Sequence, residues 1–261
     1  VAIRSKNEVL IRWLANHANL NDTAWREKDQ SAEYQVSQRH RRIYGYLPSL
    51  LGESIVTRNV NIVRLLLDSG GDPNSTVATK LPYPRRGQWN AVSEAIYTGD
   101  VAMVQLLHNA GVDLHFNATL GLTHTSLQLA VDLGHFHIVH YLLKQGVDVN
   151  APPCIWGAGT SLQLAAANGS VDIAEMLVQH GADINAPCSK YEGRTAFEGA
   201  AEHGQIDMLL FLFHNGVDIV SHGGKQVQRA GELAESSGQI AAKSLVEKFA
   251  ETARLKAILA L

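Results

Sequence analysis

Between Asn59 and Leu245 the apolar positions fall into one helical rhythm that breaks and restarts at regular intervals. Three stretches read almost as the same phrase: GHFHIVHYLLKQGVDVNAP (134–152), GSVDIAEMLVQHGADINAP (169–187) and GQIDMLLFLFHNGVDI (204–219). The glycines that close the apolar runs, Gly111, Gly146, Gly181 and Gly216, recur at intervals of 35 residues. A fixed period of this length predicts a stacked solenoid with one long continuous surface, an architecture that usually works by holding something.

The fifth copy, 193–219, shows what each repeat should contain. Thr195 is a good N-cap, and Phe197, Ala200 and Ala201 recur at helical spacing behind it. The small alanines let this first helix lie close to its neighbour. Gly204 can adopt the left-handed conformation that ends one helix and turns into the next. Ile206, Leu209, Leu212 and Phe213 then make the apolar stripe of a second helix, which Gly216 stops. The predicted repeat is helix, tight turn, helix, extended hairpin.

This layout resembles the ankyrin repeat. The fourth repeat carries the family pattern as GTSLQLAAANGSVDIAEMLVQHGADIN and the third as HTSLQLAVDLGHFHIVHYLLKQGVDVN. The second, NAVSEAIYTGDVAMVQLLHNAGVDL, is looser, and the first, LLGESIVTRNVNIVRLLLDSGGDPN, has Arg58 where the turn glycine belongs. A last stretch, AGELAESSGQIAAKSLVEKFAE, lacks the closing G-A-D and looks like a C-terminal cap. The phrases GRTAFEGAAEHGQIDM and DINAPCSKYEG resemble those of filamentous-fungal ankyrin proteins in particular. The resemblance implies an all-α ankyrin solenoid, curved, with a concave groove. Two departures stand out. The family proline is Ser126, Ser161 or Ala196, and the family histidine, which bonds the neighbouring loop, is Gln128, Gln163 or Glu198. A Gln amide can keep that bond, whereas an ionised Glu198 cannot donate it.

The organisation expected is therefore a degenerate N-terminal repeat and helical insertion over 1–45, acting as a cap. Repeats follow over 46–222, near 46–80, 85–116, 120–151, 155–186 and 190–220, with a capping repeat and helix over 223–261. Within the first segment VLIRWLANHANLN (9–21) aligns with IVRLLLDSGGDPN (62–74), with an added helix expected in DTAWREKDQSAEYQVSQRHRRI between them. A second insertion, STVATKLPYPRRGQW (75–89), lengthens the hairpin before the second repeat, and its prolines argue against regular structure there.

Composition narrows the function classes. Hydrophobic residues at 46 % and charged ones at 18 % fit a soluble, well-packed protein, and a formal charge of −3 gives nucleic acid and membranes little to attract. No apolar run reaches the ~18–20 residues of a bilayer span. The opening VAIRSKNEVL has no signal-peptide core, and the start at Val1 without methionine leaves open an excised piece of a longer chain. Two cysteines, Cys154 and Cys188, at near-equivalent loop positions read as free thiols in an intracellular compartment, cytoplasm or nucleus. The expected state is a monomer or part of a larger multidomain chain.

No phosphate loop, nucleophile elbow or zinc helix is present, and Gly157-Ala158-Gly159 is a hairpin sequence and not a dinucleotide fingerprint. No catalytic residue, cofactor or metal is assigned. His135, His137 and His140 are placed on the outer face of a second helix without local Cys or acidic ligands, and His108 is expected to be partly buried.

In ankyrin proteins partners are met mostly by hairpin tips and by the exposed ends of first helices. Carried onto this chain, that implies Tyr44 and Tyr46, which an inserted helix would cover, then Arg85, Arg86, Trp89 and Tyr97. Further along it implies His124, Asp132, Trp156 and Asn168, and finally Tyr191, Glu192, Arg194, Glu202 and His203. Trp, Tyr and Arg dominate interface energetics. Arg39, Arg41, Arg42, Arg85 and Arg86 gather toward one end and Glu192, Glu198 and Glu202 toward the other, so a bipolar partner segment is expected. The leading expectation is a non-enzymatic protein–protein interaction module. Its rivals are a small-molecule or unorthodox enzymatic site near Trp89, Tyr97, His124 and Asp132, and a purely structural stretch of a longer repeat protein.

Overall fold

A computed structural model describes residues 50–74, 76–77, 89–116, 124–152, 159–189, 193–220 and 224–259. The expectations for 1–45, including Arg39, Arg41, Arg42 and Tyr44, lie outside the described residues, as does Tyr46. The chain divides into two compact bodies, whose described parts are 50–116 and 124–259.

The first body holds two helix pairs, α1 (Leu50–Val56) with α2 (Val60–Asp68) and α3 (Ala91–Thr98) with α4 (Val101–Asn109). First helix packs on first helix, α1 against α3, and second on second, α2 against α4. Ile55, Ile62, Val63, Ile96, Met103 and Leu107 fill the interior between them. Between the pairs, β1 (Thr76–Val77) runs antiparallel to β2 (Trp89–Asn90), with Val77 opposite Trp89. This corrects the expectation that the 75–89 insertion has no regular structure. The prolines Pro82 and Pro84 fall in sequence between the two strands and lie outside the described residues.

The second body repeats the plan with α5 (Ser126–Asp132) and α6 (Phe136–Lys144), α7 (Ser161–Asn168) and α8 (Val171–Gln179), then α9 (Ala196–Glu202) and α10 (Ile206–His214). A last pair, α11 (Lys225–Ser236) and α12 (Ile240–Leu259), completes it. The first helices α5, α7, α9 and α11 pack in sequence, as do the second helices α6, α8, α10 and α12. Close approach of the first helices follows from their small residues. A Cβ built at Gly199 would sit 3.6 Å from the Ala167 Cβ, ordinary contact distance.

Local chemistry accounts for the helix ends. Thr125, Thr160 and Thr195 each cap a first helix, and Gln128, Gln163 and Glu198 reach back to the cap backbone, completing three capping boxes. Tight turns pass through left-handed residues, such as Gly99 at φ 73°. Arg58 takes the same role at φ 53°, the one non-glycine with positive φ among the described residues, and its guanidinium Nη2 donates to the Thr98 carbonyl at 2.6 Å. In α10 the buried stripe is Met208, Leu209 and Leu212, with Ile206 and Phe213 half-buried. Phe213 instead stacks on Phe249 of α12, ring centroids 4.1 Å apart and 5° from parallel.

Candidate functional site

The surface open to a partner is what remains after the repeats have tied themselves together. Gln128 Nε2 donates to the carbonyls of Ala151 (3.0 Å) and Pro152 (3.2 Å), and Gln163 Nε2 to those of Ala186 (3.0 Å) and Pro187 (3.1 Å). Both glutamines are buried and so lock the hairpins from inside. Outside, Asn150 donates to Gly181 O (2.9 Å) and accepts from Asp183 N (2.8 Å). Asn185 repeats this toward Gly216 O (3.3 Å) and Asp218 N (2.7 Å). Val220 stands at the next equivalent position and is 57 % exposed.

The residues singled out from sequence fall into three groups. Arg85, Arg86, Trp156, Tyr191, Glu192 and Cys154 lie outside the described residues, and of Trp89 only the backbone, in β2, is described. Tyr97 at the end of α3 and His124 before α5 are half-buried, as is His108. Burial lowers the His124 pKa, and the field of Asp132 works against that shift. Asp132 and Asn168 are exposed at the ends of α5 and α7, and Asn168 Nδ2 donates to the Asp132 carbonyl at 3.0 Å. Gln205 makes the same kind of tie one repeat on, its Nε2 donating to Ala167 O at 3.3 Å. These bonds satisfy carbonyls that a helix C-terminus leaves over.

Arg194 and Glu202 find each other. The guanidinium meets the carboxylate through both Nε (2.7 Å) and Nη2 (3.2 Å), a fork geometry across one end of α9 to the other. The Glu202 hydrogen bond is the main reason the Arg194 pKa is raised. Beside them His203 is exposed, and its Nδ1 bonds the Gly199 carbonyl at 3.0 Å.

Two expectations change. At the acidic end Glu198 and Glu202 are not free charges, and Glu192 lies outside the described residues. Glu198 is 3 % exposed and lies 3.6 Å from Arg229 of α11, while Glu202 is held by Arg194. Arg229 also donates from Nη2 to Gly193 O at 3.2 Å. The histidine group also separates. His137 and His140 are exposed on α6, but His135 is half-buried at the α6 N-cap with its Nε2 buried and unpartnered. Among the described residues no three His, Cys, Asp or Glu side chains come together as metal ligands.

Sequence reasoning also passed over Glu94. It lies in α3, 4 % exposed, and burial pushes its pKa up to about 7. The signal was available in the repeat register, because the same position five residues before the turn is Leu129 in the third repeat and Leu164 in the fourth.

No helix among the described residues is long and apolar enough to cross a membrane. No curated protein matches the chain. The family described as Ankyrin repeats (3 copies) matches residues 54–153 and again 153–222. With its helix pairs, capping boxes and turn residues all in this frame, the chain belongs to the ankyrin-repeat family, an all-α repeat solenoid.

Proposed function

We propose that this chain is a non-enzymatic module that holds a segment of another protein along the concave groove of its repeats. The contacts would come from hairpin tips and first-helix ends: Arg85, Arg86, Trp89, Tyr97, Trp156, Tyr191, Arg194 and His203. What carries the reading is the family match across 54–222, since ankyrin repeats are in general protein-interaction modules and typically non-enzymatic. The division of labour within each repeat supports it. Glutamines, asparagines and threonines satisfy the frame, and loops carried by a rigid frame are where recognition residues concentrate. Arg194 and Glu202 would enter as a pre-oriented pair offering hydrogen bonds more than net charge.

The test is capture from source-cell lysate by the wild-type chain and by Trp89→Ala/Trp156→Ala of matching helicity, with mass spectrometry of both. A protein held by the wild type and lost from the double variant is the expected result; equal capture by both would count against this reading. One observation favours a second reading, a small-molecule site on the same scaffold. His124 is desolvated with the Asp132 charge acting on it, a combination also found where ligands bind.

A further inference from the structure

We propose that the first body carries a proton switch at Glu94: the packing around α3 holds best while this carboxyl is protonated and loosens when it ionises. Glu94 sits among Ala91, Val92, Ser93, Ala95 and Ile96, all buried with it. Its Oε2 is buried and has no hydrogen-bond partner. Counted from the turn, the third, fourth and fifth repeats place Leu129, Leu164 and Gly199 here, apolar or small residues, while the first places Glu53. A carboxylate in such a place is costly, and the group relieves that cost by keeping its proton.

No element packed on α3 supplies a compensating cation among the described residues. After α1 comes Arg58, whose guanidinium is committed to the Thr98 carbonyl. From α4 come His108 and, at its cap, Asp100, whose carboxylate accepts from Met103 N. The strands β1 and β2 bring no titratable side chain. Burial alone therefore raises the Glu94 pKa from 4.5 to about 7.

The sign follows from linkage. The folded body keeps the proton over a range in which the unfolded chain releases it. The stabilisation is thus full below the ordinary carboxylate range and is lost as pH rises through about 7. Each pH unit within that window should lower the local folding constant about tenfold. The loosened helix also carries Tyr97, so a partner bound there would meet a proton-dependent surface.

The experiment uses the full chain with ¹³C-labelled glutamate, following carboxyl carbons by NMR from pH 4 to 9 in wild type and Glu94→Gln. Native-state hydrogen exchange of α3 and α4 amides, corrected for intrinsic rates, reads stability on the same samples. The signal missing from Glu94→Gln should titrate near neutrality, and wild-type protection should fall on the order of 100-fold relative to that variant between pH 5 and pH 8. Should Glu94→Gln not fold, Glu94→Leu, the residue type of the third and fourth repeats, serves as the reference. A Glu94 carboxyl that titrates between pH 4 and 5, or protection that runs parallel in wild type and variant, overturns the proposal.

Discussion

Arg229 of α11 brings its Nε to 3.6 Å from the buried Oε1 of Glu198 in α9, giving the fifth repeat as a charge pair the link that Gln128 and Gln163 make through amides. The pair is asymmetric, with Glu198 buried and Arg229 half exposed, so its value rests on not leaving Glu198 alone. Arg229→Ala should cost about 1–2 kcal/mol in urea unfolding. The same change in a Glu198→Gln background should cost less than half of that. Additive losses would mean the pair contributes nothing.

Gly169 and Gly134 occupy equivalent turns with φ of 72° and 70°, but only at Gly169 would a Cβ run into a neighbour, the Gln205 carboxamide. Alanine at either site should lose about 1–2 kcal/mol to the left-handed conformation. Gly169→Ala should lose about 1 kcal/mol more, because Gln205 must release the Ala167 carbonyl. Thermal melts of both variants with and without Gln205→Ala check this, and the excess should vanish in the Gln205→Ala background.

At Arg58 two effects oppose each other, a left-handed backbone at φ 53° and a side-chain bond to Thr98 O. Arg58→Ala keeps the strain and loses the bond, so it should be less stable than wild type by about 1 kcal/mol. Arg58→Gly removes the strain as well and should recover about 1 kcal/mol over the alanine variant. Equal stability of the two would show that the turn relaxes.

Ser161 holds a buried hydroxyl with no partner at the first position of α7, where the family has proline. Its predecessor Thr160, at φ −60° and ψ 165°, already has the extended conformation that a following proline requires. Ser161→Pro should therefore raise stability by about 0.5–1 kcal/mol, measured as a higher urea midpoint at unchanged slope.

The frame was legible because its determinants are local: a threonine cap, a left-handed turn residue and an apolar stripe each speak for themselves within nine or ten residues. Arg229 was not legible as the partner of Glu198, because it lies thirty-one residues on, in a stretch without the closing G-A-D that sets register. Arg194 and Glu202 are eight apart and straddle the cap, a spacing that no single helix face brings together, so both read as free charges. Glu94 was hidden by the loose match of its repeat, which drew attention to Tyr97 and away from a charge at a leucine register. Trp156 and Tyr191 carry no repeat-register signal, so the sequence marks them only by residue type.

The asparagine ties have a consequence for chain length. Asn150 and Asn185 make the same two bonds to the loop of the following repeat, and Gln128 and Gln163 both clasp an Ala-Pro pair. If residues 151–185 were excised, Asn150 would precede Ala186 and meet Gly216 and Asp218, and Gln128 would find Ala186-Pro187 in place of Ala151-Pro152. Every tie would close with the same atoms. A chain built this way can grow or shrink by a whole repeat in one step, while a change of any other length in that region breaks its bonds on both sides.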